Sequence, residues 1–141
     1  MTQVDFYVLK PQTPGDRYSL ACRIAEKAWQ QGRRVLIQTD SDQAAQHLDR
    51  LLWTYRDQSF VPHGRLGKVD PAVNPVLISG DGGVGDEHDV LVNVTAVIPD
   101  DFGRFARVAE CVDHDPGLRV ASRERFRFYR DRGYPLQTHE I

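Results

Sequence analysis

The segment SLACRIAEKAWQQGRRVLIQTD, residues 19–40, decides the fold class. Its second half, residues 34–39, is a short strand rich in β-branched side chains, and Gly32 before it is typical of a helix end. The first half carries apolar residues at helical spacing: Leu20, Ala21, Ile24, Ala25 and Ala28. Because another apolar run, residues 4–9, precedes this helix, the sequence predicts a β-α-β unit, whose two strands are parallel.

The rest of the chain continues the alternation of strands and helices. The predicted elements are a helix containing residues 44–52, a loop over 60–67, strands over 76–79 and 90–94, a third helix opened by Pro99-Asp100-Asp101 and running past Phe105 to Ala109, a strand over 110–114, and a final helix from Pro116. This order predicts an α/β fold, with residues 1–141 forming a single domain. We expect a three-layer α/β/α arrangement around a mainly parallel sheet of four to five strands.

Composition excludes several functional classes. Of the 141 residues, 27% are charged and the net charge is −2, which excludes a protein that is basic over its whole surface. The two cysteines, Cys22 and Cys111, lie in apolar stretches rather than in a C-x-x-C motif, so they predict core thiols. No apolar run is long enough for a signal peptide or a membrane span, and we therefore expect a cytoplasmic protein.

The sequence gives little support for catalysis. Residues 80–85 match G-x-G-x-x-G after a strand, but a run of charged residues and another strand follow instead of a helix, and no phosphate loop of the type G-x-x-x-x-G-K-[ST] is present. His88 and His114, each beside aspartates, have no partner at metal-ligand spacing. A nucleotide-binding enzyme that uses the loop from Gly80 to Gly85 stays as an alternative, and we expect no cofactor and no metal.

The last segment differs in charge from the rest of the chain. Residues 117–141 hold six arginines and three acids. On a helix, Phe128 and Tyr129 would face the sheet, whereas one charged face, within about 60° of Arg123, carries the remaining candidates. These candidates are Arg123, Phe126, Arg127 and Arg130. We expect the Phe126 ring to be exposed among the guanidinium groups, where it would suit an acidic peptide with a bulky apolar residue or a terminal carboxylate. A solvated helix with internal ion pairs and a single-stranded DNA site are the alternatives.

A second group of aromatic residues lies at the end of the second predicted helix. Trp53 is about 180° from Ala44 on a regular helix and should therefore face away from the sheet. Tyr55, Phe60 and Pro62 follow it. Grouped apolar residues of this kind indicate a protein interface, although a hydrophobic contact that closes the loop is an equally good interpretation.

Several short motifs together resemble the DNA polymerase III chi subunit family along nearly the whole chain. They are Phe6-Tyr7, Ala25-Glu26-Lys27-Ala28-Trp29-x-x-Gly32, Leu48-Asp49-x-x-Leu52-Trp53, Ser59-Phe60-Val61-Pro62-His63, Leu91-Val92-Asn93 and Arg123-x-Arg125-Phe126-x-x-Tyr129-Arg130-x-x-Gly133-Tyr134. The resemblance implies a helicase-like fold without a phosphate loop. It also implies a non-enzymatic accessory subunit of the clamp-loader assembly of the DNA polymerase III holoenzyme, which acts in DNA replication.

The resemblance also implies two partners. The acidic, Phe-terminated tail of single-stranded DNA-binding protein would bind at Arg123, Phe126, Arg127 and Arg130. The psi subunit of the clamp loader would bind around Trp53, Phe60 and Pro62. Contact with DNA is then expected to be mainly indirect, and the chain is expected to be a monomer on its own or a heterodimer with psi.

Overall fold

A parallel β-sheet forms the centre of the protein. The computed structural model describes residues 1–57 and 60–141. Within these residues the sheet has seven strands, Gln3–Val8 (β1), Val35–Gln38 (β2), His63–Arg65 (β3), Val76–Ser79 (β4), Val90–Asn93 (β5), Arg107–Val112 (β6) and Leu136–Glu140 (β7). Three α-helices accompany the sheet in the same part of the chain, Arg17–Gln30 (α1), Asp42–Thr54 (α2) and Pro116–Asp131 (α3).

All neighbouring strands are parallel, in the order β3-β4-β2-β5-β6-β1-β7. In the interior of the sheet, Ile37 of β2 lies opposite Ile78 of β4 on one side and Val92 of β5 on the other. Every residue of these three strands is buried. Helices α1 and α2 cover one face here, and the other face packs against apolar residues such as Val84 and Phe105, so these strands are continuous apolar runs rather than alternating ones.

Each face of the sheet has its own core. The first core contains the apolar residues of α1 and α2, such as Leu20 and Leu48, packed on Ile37 and Val92. The second core lies on the opposite face of the sheet. It contains Tyr129 of α3 together with strand residues that point to that face, such as Leu36 and Leu91. The predicted three-layer α/β/α arrangement and the mainly parallel sheet are therefore confirmed.

Side-chain caps explain where the three helices begin. Asp16 accepts hydrogen bonds from the backbone of Tyr18 and Ser19, and the Ser19 hydroxyl accepts one from the Asp16 N–H, which completes a capping box. Ser41 caps α2, and Asp115 caps α3 just before Pro116. The α1 helix ends before Gly32, which has a φ of 78° that other residues rarely adopt.

Two sequence-based expectations about the sheet are wrong. The sheet has seven strands in the described residues rather than four to five. One missed strand is β3, within the stretch 60–67 that was predicted as a loop, and the other is β7 at the edge. Both lack an apolar run, because β3 has only three residues and β7 leaves most of its side chains in water.

The prediction of a third helix after Pro99 is also wrong. After Pro99 the chain makes only a short 3₁₀ turn, Phe102–Arg104, whose first residue receives no side-chain cap from Asp101. The strand β6 then begins at Arg107, before the predicted start at residue 110. This strand lies between β5 and β1, and it pairs with β1 along its whole length and with β5 over residues 107–110. Hydrogen bonds from two sides therefore override the helical spacing of Phe105 and Ala109.

A buried polar network attaches α3 to the sheet. Glu110 of β6 is fully buried, and its Oε1 accepts hydrogen bonds from Asn93 Nδ2 at 2.9 Å and from Arg125 Nε at 3.2 Å. Its Oε2 accepts a hydrogen bond from the Tyr129 hydroxyl at 2.7 Å. Arg125 Nη1 also donates to the carbonyl oxygen of Ala96 at 2.9 Å. Burial raises the pKa of Glu110, whereas the Arg125 charge and the three donors act in the opposite direction.

Arg125→Met should destabilise the protein by about 3–5 kcal/mol, because it leaves the Glu110 carboxylate buried without its cation. Chemical denaturation measures the free energy of unfolding. The matched control is Arg123→Met on the exposed face of the same helix, which should leave stability unchanged. The double variant Glu110→Gln/Arg125→Met should recover part of the loss, since it removes both charges. Equal stability of the Arg125→Met and Arg123→Met proteins would contradict this account of α3 anchoring.

Candidate functional site

The charged face of α3 is open to solvent. Arg123, Arg127 and Arg130 are exposed. Within the described residues Arg130 pairs only with its neighbour Asp131, through Nη2 and Oδ1 at 3.1 Å, and both side chains are exposed. Arg123 and Arg127 form no ion pair with any residue in the described part of the chain. Arg123 and Arg127 are therefore available to a partner, and Arg130 has only an exposed ion pair to exchange.

Phe126 is placed differently from the sequence-based expectation. Its ring is half-buried and packs edge-on against Phe6 of β1, with ring centroids 5.5 Å apart and an interplanar angle of 61°. The expectation that this ring is exposed among the arginines is therefore wrong. Phe6 is buried in the second core, against which Phe126 packs, so part of the Phe126 ring is covered. The part of the Phe126 ring that stays accessible forms an apolar surface beside the arginines.

Val120 is a residue of this face that sequence reasoning missed. It is 56% exposed on α3, one turn before Arg123 and two turns before Arg127. Its position is about 60° from Arg123 around a regular helix. The i, i+3 and i+7 spacing of residues 120, 123 and 127 is the signal that could have identified it. Val120, Arg123, Phe126, Arg127 and Arg130 are called the α3 face below.

The second aromatic surface lies on the other side of the sheet, at the end of α2. Trp53 is 59% exposed and Phe60 is 75% exposed, so the prediction that Trp53 faces away from the core is confirmed. Pro62 is half-buried. Gln58 and Ser59, the latter part of one of the motifs quoted above, lie outside the described residues. Trp53, Phe60 and Pro62 are called the α2 surface below.

A buried histidine supports the α2 surface from below. The His63 ring lies 4.6 Å from the Trp53 ring, centroid to centroid. Its Nδ1 is 2.8 Å from the carbonyl oxygen of Val61, and its Nε2 is 2.9 Å from that of Asp49. Both ring nitrogens therefore contact backbone oxygens, which hold the imidazole in place and fix the Trp53 ring above it. A cleft of about 460 Å³ opens beside these rings.

The glycine loop after β4 is unfavourable for phosphate. The Asp81 carboxylate already accepts a hydrogen bond from the Gly83 N–H at 2.9 Å, and no helix follows within the loop before β5. The adjoining cleft, at the carboxyl ends of the strands, is lined by four carboxylates. They belong to Asp40, Asp81, Asp100 and Asp101. An anion would be repelled here, so the geometry does not favour the alternative of a nucleotide enzyme.

The described residues show few other catalytic features. Residues 1–57 and 60–141 contain no group of three His, Cys, Asp or Glu side chains placed to hold a metal ion. Burial raises the pKa of the Cys22 thiol to about 12 and raises that of Cys111 as well, so neither is a reactive thiolate. In the same residues no helix is long and apolar enough to cross a membrane.

Comparison with known proteins identifies relatives along almost the whole chain. Residues 1–137 match the model of the family described as DNA polymerase III chi subunit, HolC. The chain is 43% identical to the DNA polymerase III subunit chi of Pseudomonas aeruginosa over 141 residues, which cover 100% of this chain and 98% of that protein. It is 32% identical to the Escherichia coli protein of the same name, over 98% of this chain and 97% of the relative.

A solved structure with a similar fold is T4 UvsW, with a TM-score of 0.70 and 12% sequence identity. The similarity covers 99% of this chain but only 41% of UvsW. At this identity the likeness concerns the fold alone, and it agrees with the helicase-like fold that the family resemblance implies.

Phe126→Ala should lower the free energy of unfolding by about 1–3 kcal/mol, less than the loss for a fully buried ring, because it removes the packing on Phe6. Arg127→Ala, one position further on α3, should leave stability unchanged since the side chain is exposed and unpaired. Thermal and urea denaturation of the two variants make the comparison. Equal stabilities would mean that the Phe126 ring does not pack as described.

Proposed function

The chain belongs to the DNA polymerase III chi subunit family, and from this we propose that it is a replication accessory subunit that connects two proteins without catalysing a reaction. One partner is the acidic tail of single-stranded DNA-binding protein, and the other is the psi subunit of the clamp loader. The single observation that carries the proposal is the α3 face, where three exposed arginines, two of them without an ion-pair partner among the described residues, lie beside the apolar side chains of Val120 and Phe126.

The α3 face has the chemistry that an acidic peptide requires. Guanidinium groups bind carboxylates through paired hydrogen bonds, and neither Arg123 nor Arg127 forms an ion pair in the part of the chain that the structure describes. From Arg123 to Arg130 the helix rises about 10 Å, which an extended peptide covers with about three residues. The face therefore matches the last few residues of a tail better than a long strand of nucleic acid.

Apolar contacts would complete the binding of a tail that ends in phenylalanine. Val120 offers an exposed side chain, and Phe126 offers the part of its ring that Phe6 does not cover. Because Phe126 is anchored from behind, it loses little conformational freedom when a second ring packs against it. Phe126 stands where a tyrosine is common in the family, so the hydrophobic contact is expected without a hydrogen bond from a hydroxyl group.

The α2 surface is suited to a more apolar partner. Trp53 and Phe60 expose large rings at the end of α2, and exposed aromatic residues in a group are typical of protein interfaces. His63 holds the Trp53 ring from beneath, so this surface is largely formed before binding. These features support Trp53, Phe60 and Pro62 as the contact with psi.

Direct binding of single-stranded DNA is the weaker candidate. Strong nucleic-acid binding depends on many phosphate contacts, whereas the α3 face offers three arginines on a chain of net charge −2. The distribution of charge therefore favours a short acidic peptide.

Arg123→Ala and Arg127→Ala should each weaken binding of an acidic, Phe-terminated tail peptide by about fivefold to tenfold in low salt, because each removes an uncompensated cation. Binding by the unaltered protein should also weaken as salt rises. Fluorescence anisotropy with a labelled peptide measures both effects. Arg50→Ala, an exposed cation on α2 on the opposite face of the sheet, is the control and should bind as the unaltered protein does. Unchanged affinity in both arginine variants would rule out the α3 face as the tail site.

Trp53→Ala should weaken binding of purified psi subunit by about thirtyfold or more, as expected for a central aromatic residue of an interface. Phe60→Ala should act in the same direction, and neither should alter binding of the tail peptide at α3. Calorimetric titration with psi gives the affinities. Val73→Ala removes an equally exposed apolar side chain elsewhere and serves as the control. The proposal for the α2 surface fails if Trp53→Ala and Val73→Ala bind psi equally well.

A further inference from the structure

A cleft of about 310 Å³ lies between α1 and the strands β1 and β6, on the face of the sheet opposite α3. It exists because α1 packs over β2, β5 and β6, so the neighbouring strand β1 is less covered on this side. Asp5 and Tyr7 of β1 consequently line the cleft instead of packing beneath a helix. None of its lining residues belongs to the α3 face or the α2 surface.

The cleft is rich in cations although the chain as a whole is slightly acidic. Four basic side chains line it, and they come from α1, from the connection to β2 and from β6: Arg23, Lys27, Arg33 and Arg107. Asp5 is the one acid among the lining residues that the structure describes. The local charge is thus opposite in sign to the net charge of −2.

Two of the four cations already have carboxylate partners. Arg33 Nε donates to Asp89 Oδ1 at 2.9 Å, and Arg107 Nη2 donates to Asp5 Oδ2 at 3.2 Å. The second oxygen of Asp5 lies 3.0 Å from Nε2 of His139. These contacts fix the wall of the cleft, and they leave little negative charge free to attract the other two cations.

Arg23 and Lys27 are the two cations of the cleft that have no carboxylate partner among the described residues. They lie four residues apart on α1, so both point to the same side, and like charges at this spacing repel each other. Neither forms an ion pair with any residue in the ranges 1–57 and 60–141. A bound dianion would relieve this repulsion, and a phosphate group carries that charge near neutral pH.

Most of the other residues that line the cleft are apolar. Ile24 and Ala28 of α1 face Val90 and Ala109 of the sheet across it. The volume is at the lower end of the range for small-molecule sites and exceeds what an inorganic anion would fill. A suitable ligand has one strongly anionic group that contacts Arg23 and Lys27 of α1, and an apolar or planar part that packs on the sheet residues.

We propose that this cleft binds a small organic phosphate of about mononucleotide size, with the phosphate on Arg23 and Lys27 and the organic part over Ile24 and Ala109. The site shares no lining residue with the acidic cleft at the carboxyl ends of the strands. It is independent of the proposed adaptor function, since no residue of the α3 face or α2 surface contributes to it.

Titration of the isotope-labelled protein with adenosine 5′-monophosphate, followed by amide spectra, tests the proposal. The expected result is saturable shifts at Ile24, Ala28 and Ala109 that weaken with added salt. Adenosine without phosphate should cause much smaller shifts, and inorganic phosphate should bind at least about tenfold more weakly than the nucleotide because it lacks the apolar contact. The proposal would be overturned if the nucleotide caused no shifts. It would also be overturned if adenosine alone, or inorganic phosphate alone, bound as tightly as the nucleotide. Tighter binding of an oligonucleotide than of the mononucleotide would overturn it too.

Two charge-reversal variants separate this site from α3. Arg23→Glu/Lys27→Glu should weaken nucleotide binding by about tenfold or more while leaving tail-peptide binding unchanged. Arg127→Glu/Arg130→Glu reverses the same number of charges on the opposite face, and it should weaken the tail peptide and leave the nucleotide shifts intact. Retained nucleotide binding in Arg23→Glu/Lys27→Glu would overturn the cleft proposal, whatever the peptide results show.

Discussion

The orientation of α3 depends on the buried ion pair between Glu110 and Arg125. A carboxylate in the middle of β6 would be costly in an apolar core, and it is stabilised by Arg125 together with the Tyr129 hydroxyl and the Asn93 amide. Arg125 and Tyr129 lie one turn apart, so both must face the sheet at once. The rotation of the helix is then fixed, and the opposite face presents Arg123, Arg127 and Arg130 to solvent.

The two proposed protein contacts lie on opposite faces of one rigid parallel sheet. The α2 helix belongs to the first core and α3 to the second, with the strands between them. A partner at Trp53 therefore does not compete for space with a peptide at Arg123. This separation is the geometry that an adaptor needs, and it supports the proposal of two partners. Their chemistry also differs, since one surface offers aromatic rings and the other offers arginines.

The parallel α/β fold of this protein does not bring with it the ligand site that is common in such folds. Parallel α/β sheets usually bind ligands at the carboxyl ends of their strands, where loops meet helix N-termini. In this protein that edge is lined by Asp40, Asp81, Asp100 and Asp101, and the glycine loop leads into β5 rather than into a helix. Exposed cations lie instead on α1, with Arg23 and Lys27, and on α3. Function therefore has to be argued from these surfaces and not from the likeness to T4 UvsW.

The sequence by itself determined the α/β class, the strands β1, β2, β4 and β5, and the two-sided nature of α3, because local periodicity reports which side chains are buried. It also predicted the exposure of Trp53. Only the tertiary structure decided the edge strands β3 and β7, the replacement of a helix by β6, and the half-buried position of Phe126 against Phe6. The physical reason is distance along the chain. Strand pairing and ring packing join residues that are far apart in sequence, such as Val4 and Leu136, and no local pattern records such partners.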